Sequence, residues 1–125
     1  MEDNSHWCEI VAAKLARRGI GNVDLRHVPV AFTTEDAFAV SDYLTAVRKS
    51  VFDVIVVDGT EWTANVRPIC FRAAEEQIKS GGIILVDDSW RYRQLRQTNC
   101  AERFEIFEGV GPARFGVTST DVYFY

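Results

Sequence analysis

The sequence predicts an α/β fold, a doubly wound sheet that is mostly parallel and ends in an antiparallel hairpin. Three observations predict it. Phe52-Asp53-Val54-Ile55-Val56-Val57-Asp58-Gly59 and Ile83-Ile84-Leu85-Val86 carry apolar residues without alternation, the pattern of strands covered on both faces. A helix-length segment separates them, and two buried strands joined by a helix form a right-handed βαβ unit. Beyond them, Phe104 to Phe107 and Gly116 to Tyr125 flank Gly109-Val110-Gly111-Pro112, which predicts a hairpin.

The elements follow in order. Asn4 or Ser5 can cap a helix that runs to about Arg18, with Trp7, Ile10, Val11, Ala13 and Leu15 as its apolar residues and Gly19 as its stop. Val23 to Val28 alternates Val, Leu and Val with Asp, Arg and His, which predicts a strand ended by Pro29. Thr33-Thr34-Glu35-Asp36 is expected in a loop. Val40, Tyr43, Leu44 and Val47 then fall at i, i+3, i+4 and i+7, on one face of a helix. Pro68 suits the first turn of the next helix, expected to continue through Phe71, Ala74 and Ile78 to Ser80 and to stop at Gly81-Gly82. Trp90 to Gln97 has the pattern of a short amphipathic helix.

Length and composition bound the function. With 125 residues, 47% apolar and 26% charged, the chain is expected to form a single domain spanning residues 1–125. No apolar run approaches the length of a membrane span. The acidic start, Glu2-Asp3-Asn4, lacks the basic region of a secretory signal, so a cytoplasmic location is expected. A net charge of -4 with dispersed basic residues argues against nucleic acid as a partner, although Arg91, Arg93 and Arg96 are close together. Three widely spaced cysteines, Cys8, Cys70 and Cys100, fit neither a disulfide framework nor a CxxC metal site and are expected as reduced, mostly buried thiols. His6 and His27 are isolated, which disfavours a histidine-based metal site or triad.

In open α/β sheets ligands collect beyond the carboxyl ends of the strands, where Asp58, Asp87 and Asp88 fall. The order of these motifs resembles the Rossmann-type (class I) S-adenosylmethionine-dependent methyltransferases. In that family the second strand ends in an acidic residue, the fourth in an Asp, the fifth follows a Gly-Gly turn, and the last two form a hairpin. The matching features are Glu2, Asp58, Gly81-Gly82-Ile83-Ile84-Leu85-Val86 and the final two strands. The match covers essentially the whole chain and is best from Phe52 to Tyr92. Family members begin with a strand and a GxGxG-type loop, and this sequence contains no such loop. The resemblance therefore implies a partial Rossmann-like sheet, the carboxyl-terminal portion of an N-terminally truncated member.

The resemblance also implies roles. Glu2 would accept hydrogen bonds from the cofactor's ribose and Asp3 would lie beside its adenine; alternatively Glu2-Asp3-Asn4 only caps the first helix. Asp58, Asp87 and Asp88 resemble the ligand set of metal-dependent O-methyltransferases, where oxygen ligands would hold Mg²⁺, and Asp58 or Asp87 is the candidate catalytic base. The subfamily with a Lys three positions after the first Asp is departed from here, because Glu61 stands there. Trp62, Arg67, Trp90 and Tyr92 are candidate substrate-binding residues, able to shape a pocket for a sugar or an anionic acceptor, or simply to cover neighbouring strands. The function implied is O-methyl transfer from S-adenosylmethionine to a small molecule or glycan. The alternative is a non-catalytic remnant or assembly module that has lost cofactor binding. Without the family's first strand, Val54 to Val57 would offer an unpaired apolar edge. Either Val23 to Val28 pairs there, or a second copy covers it in a homo-oligomer such as a dimer.

Overall fold

A four-stranded mixed sheet dominates the computed structural model of the chain, which describes residues 1–30, 34–48, 50–59, 61–63, 65–111 and 116–125. The chain divides into two compact units, residues 1–45 and residues 46–125.

In the first unit, helix α1 spans Ser5–Arg17. Its start is fixed as expected, with Asn4 Oδ1 accepting the Trp7 N–H at 3.1 Å. At its end Gly19 takes φ +64°, and the Ile20 N–H reaches back to the Leu15 carbonyl at 3.0 Å, closing the helix with a left-handed residue. The strand expected over Val23 to Val28 is not formed. One isolated parallel bridge joins Glu2 to His27, through Glu2 N to Arg26 O and Val28 N to Glu2 O, both 2.9 Å. Alternation supplies strand propensity, but a ladder needs a partner of several residues, and here Glu2 alone stands opposite.

A separate helix α2, Glu35–Ala39, is followed by a break in which Val40 lies, so the helical face expected from Val40 to Val47 loses Val40 and keeps Tyr43, Leu44 and Val47 on α3, Asp42–Val47; α3 runs across the boundary between the units. Two capping hydroxyls cause the division. Thr34 Oγ1 accepts the Ala37 N–H at 3.2 Å, starting a helix where a loop was expected, and Ser41 Oγ accepts the Leu44 N–H at 3.4 Å. Val40 falls in the break and is exposed, while Phe38 and Leu44 are buried. Thr33 lies outside the described residues.

In the second unit the strands are β1, Phe52–Val57; β2, Ile78–Val86; β3, Arg103–Val110; and β4, Val117–Phe124. Their spatial order is β1-β2-β4-β3. β1 and β2 are parallel, whereas β4 runs antiparallel to both β2 and β3. Helix α4, Val66–Glu75, makes the crossover and carries Pro68 in its first turn. It lays Phe71 and Ala74 against Val57, Ile84, Val86, Tyr92, Leu95 and Tyr123, with the Phe71 and Tyr123 rings 4.7 Å apart. Each large apolar side chain buried there is worth about 1.5–3 kcal/mol, so this cluster holds the unit together.

α4 stops short of the expected Ser80, and Ile78 to Ser80 belong to β2. Ile78 fits both a helical and an extended period, and pairing decides: Phe52 stands opposite Ile78, then Val54 opposite Ile83. The intervening residues of β2 bulge through Gly81 at φ +80°, and a Cβ on Gly82 would meet Ile78 at 2.9 Å. The glycines thus serve a bulge inside the strand. Between β2 and β3 the expected helix over Trp90 to Gln97 is two short 3₁₀ turns, Ser89–Arg91 and Arg93–Arg96.

β1 departs from the expected double cover. α4 packs on the face that holds Val57 and Ile84, and the opposite face leaves Val54 53% and Val56 62% exposed. Among the described residues β1 pairs with β2 alone, so its outer edge is open. No helix among the described residues is long and apolar enough to cross a membrane.

Candidate functional site

The parallel pair β1–β2 delivers its carboxyl ends side by side, with the Asp87 N–H donating to the Val57 carbonyl at 3.1 Å. Asp58 and Asp87 therefore emerge as neighbours. Arg67, from the first turn of α4, is buried between the two loops. Its Nε donates to the Gly59 carbonyl at 3.2 Å and its Nη1 to the Asp87 carbonyl at 2.6 Å. Its Nη2 lies 3.3 Å from Asp58 Oδ1, and Nη1 lies 3.9 Å from Asp87 Oδ2. Asp87 Oδ1 also accepts the Thr120 hydroxyl at 3.1 Å, whereas the Asp58 side chain is 59% exposed. Partial desolvation, followed by repulsion from Asp87, pushes the Asp58 carboxyl above its ordinary value, and Arg67 opposes the shift.

Asp88 follows at φ +51°, a left-handed conformation that turns the chain sharply into the first 3₁₀ turn. The arrangement of the three aspartates does not support the expected Mg²⁺ site. Among the described residues no group of three or more His, Cys, Asp or Glu side chains converges to hold a metal. Arg67 already supplies positive charge between Asp58 and Asp87, which leaves that pair a poor fit for a divalent cation.

Next to this carboxylate pair is an open cavity of about 370 Å³ lined by Glu61, Trp62, Thr63, Trp90, Arg91 and Tyr92. The loop after β1 gives the first three residues and the turn after β2 the others. The expected Trp62, Trp90 and Tyr92 share this cavity; Arg67 does not line it and packs with its guanidinium 6.0 Å from the Tyr92 ring centre. Glu61 Oε2 accepts the Tyr92 hydroxyl and lies 3.4 Å from Arg91 Nη1, while Glu61 Oε1 is buried without a hydrogen-bond partner. Arg91 in turn stacks on Trp90, 5.0 Å from the ring centre. The sequence marked Glu61 only as a departure from a Lys, and nothing in it signalled Thr63 or Arg91 as lining residues.

Beneath the turn after β2 lies a polar cluster that the sequence did not reveal. Asp121, fully buried on β4, receives Arg96 Nε at 2.7 Å, Arg96 Nη2 at 3.0 Å and the Ser89 hydroxyl at 2.7 Å. Ser89 is also 2.7 Å from the Ser119 hydroxyl. This cluster ties both 3₁₀ turns to β4 and so fixes Trp90 to Tyr92. A signal existed: Ser119, Asp121 and Tyr123 alternate on one strand face, and polar residues at inward positions call for partners.

The remaining candidates lie elsewhere. In the first unit, Glu2 Oε1 accepts the Asn4 N–H at 2.9 Å, and the Asp3 carbonyl faces His27 Nε2 at 3.2 Å. Glu2 thus bonds the backbone of the capping residue Asn4 and no N–H of the helix itself, and its Oε2 carries no hydrogen bond among the described residues. The cysteines are free, with Cys8 and Cys70 half-buried and Cys100 exposed, so the expected burial fails for Cys100. Burial pushes the Cys70 thiol up to about 12, away from nucleophilic use.

No protein-family profile and no curated protein matches the chain. Solved structures do match. A Klebsiella pneumoniae protein assigned as an O-methyltransferase without an established activity superimposes with TM-score 0.71 at 16% identity, over 98% of this chain and 59% of its own. The O-methyltransferase TomG of Streptomyces achromogenes, involved in tomaymycin synthesis and solved with SAM, gives 0.69 at 16%, over 98% and 59%. An O-methyltransferase of Bacillus cereus in complex with SAH gives 0.66 at 15%, over 99% and 60%. The fold is therefore a partial Rossmann-like fold of the kind these O-methyltransferase structures have. The chain spans about three-fifths of the length of these structures.

Proposed function

We propose that this protein takes part in S-adenosylmethionine-dependent O-methyl transfer to a small molecule. The observation that carries the reading is the aromatic cavity of Trp62, Trp90 and Tyr92 beside the Asp58–Arg67–Asp87 cluster, at the carboxyl ends of β1 and β2 on this fold. S-adenosylmethionine, when bound, supplies a methyl group on a sulfonium that an acceptor oxygen can take in line. Asp58 is the candidate base. Its carboxylate is exposed and pushed up, so it can take the acceptor hydroxyl's proton as the oxygen gains the methyl group. Arg67 holds Asp58 and balances Asp87, and Asp87 keeps the loop after β2 in place through Thr120. Trp62, Trp90 and Tyr92 exclude water and orient the acceptor, a flat aromatic or a sugar face. The unbonded Oε2 of Glu2 suits a ribose hydroxyl donor, which supports its assigned role, and Asp3 beside it keeps the adenine role. Methyl-labelled S-adenosylmethionine incubated with phenolic and alcoholic acceptors tests the reading. Labelled methyl ether is expected, and Asp58→Asn slows its formation most near neutral pH. Absence of product from every acceptor class, with no cofactor bound, refutes it.

A second reading, assembly through a second copy, is favoured by the open β1 edge with Val54 and Val56 exposed. Sedimentation velocity tests it, with a dimer expected that Val56→Lys dissociates. A monomer at all concentrations counts against it.

A further inference from the structure

Glu61 and Trp90 already hold a cation, and it comes from the chain itself. The Arg91 guanidinium lies over the Trp90 ring at 5.0 Å and against Glu61 Oε2 at 3.4 Å. Its own side chain is exposed enough to leave, whereas Glu61 is nearly buried and keeps one oxygen unmatched. A carboxylate so placed needs positive charge, and an indole face offers its quadrupole to the same charge. The 370 Å³ cavity beside them, walled also by Trp62 and Tyr92, is large enough for a small aromatic amine.

We propose that this cavity recognises a protonated amine on the acceptor, with Arg91 as a displaceable stand-in that occupies the site until the ligand's ammonium replaces it. The inference deepens the methyltransferase reading and rests on it for the word acceptor. An anionic acceptor is disfavoured by the same geometry, because Glu61 lines the cavity and already pairs with its lining cation Arg91, while Arg67 is buried and engaged by Asp58, Asp87 and Gly59.

The experiment is a titration of the full chain with 2-phenylethylamine hydrochloride, followed by the indole N–H resonances of its 3 Trp residues in ¹H–¹⁵N spectra. The neutral 2-phenylethanol and the anionic 3-phenylpropionate serve as controls. The amine is expected to move the Trp62 and Trp90 signals and leave Trp7 in place, with little response to either control. Arg91→Ala, which removes the competing cation, is expected to tighten amine binding about threefold to tenfold. Glu61→Gln, which can still accept the Tyr92 hydroxyl and so keeps the fold, is expected to weaken it about tenfold. Equal binding of the alcohol, stronger binding of the acid, or loss of amine binding in Arg91→Ala would each overturn the inference. The same samples titrated with S-adenosylmethionine separate the two readings. Cofactor binding without an amine response removes the amine site alone, and an amine response without cofactor binding keeps the cation site while removing the methyltransferase reading.

Discussion

Asp121→Ala probes whether the turn carrying Trp90 to Tyr92 is held from β4. Asp121 is fully buried and accepts two bonds from Arg96, one from Ser89 and a longer one from the Tyr123 hydroxyl, at 2.7, 3.0, 2.7 and 3.4 Å. Removing one partner of a buried ion pair costs about 3–5 kcal/mol, because the other charge is left without compensation. Two features move the expectation to the lower end. The Arg96 side chain retains 20% exposure and can turn to water, and Ser89 keeps the Ser119 hydroxyl at 2.7 Å. The expected loss is therefore about 3 kcal/mol, which at about 4–8 °C per kcal/mol lowers the midpoint of a unit this size by roughly 12–24 °C. Asp121→Asn, which retains an acceptor for Ser89, loses about half as much. Urea denaturation followed by circular dichroism and tryptophan fluorescence measures both. An Asp121→Ala variant within about 0.5 kcal/mol of the parent, the range of ordinary surface substitutions, refutes the reasoning.

Asp58 predicts a pH dependence of stability. Its folded carboxyl titrates above the ordinary value of 3.8, so the folded state binds the proton more tightly than the unfolded state. Stability contributed by the protonated form is present below that value and is lost as pH rises through the folded pKa. Asp58→Asn is thus expected to match or exceed the parent in thermal midpoint at pH 7, with the difference shrinking below pH 4, whereas Arg67→Met is expected to lose about 3 kcal/mol through two unmatched carbonyls and two facing carboxylates. A large loss of stability in Asp58→Asn contradicts the assigned balance. The thiols give another check: a thiol-reactive chromogenic disulfide is expected to titrate exposed Cys100 at once, while half-buried Cys70, pushed up to about 12, reacts far more slowly in the folded chain. Reaction of Cys70 as fast as that of Cys100 would contradict this ordering.

Much of the second unit was legible because continuous apolar runs of strand length and two terminal segments flanking a Gly/Pro break have few structural solutions, whereas Gly81-Gly82, expected to end a helix, lies inside β2. Phe52 to Val57 and Ile83 to Val86 are where the pattern placed them, and the hairpin forms as expected except that Gly109 and Val110, expected in its break, extend β3 and pair with Thr118 and Val117. The failures occur where partners decide. Val23 to Val28 has the alternation of a strand and lacks a neighbour to form a ladder. Val54 and Val56 belong to a run that looks doubly covered, yet one face remains open. At the site, Asp58, Asp87, Trp62, Trp90 and Tyr92 could be picked from the carboxyl ends of two strands. That Arg67 would neutralise the aspartates, and that Glu61 would meet Arg91 across 30 residues, depends on side-chain reach that no local spacing encodes.

Calorimetric titration of the chain with S-adenosylmethionine tests the central claim most directly. The account predicts a saturable heat with one cofactor per chain and a rise in thermal midpoint at the same concentrations. No heat and no thermal shift at millimolar cofactor would contradict it, and would leave the open β1 edge and the assembly reading as the function of this fold.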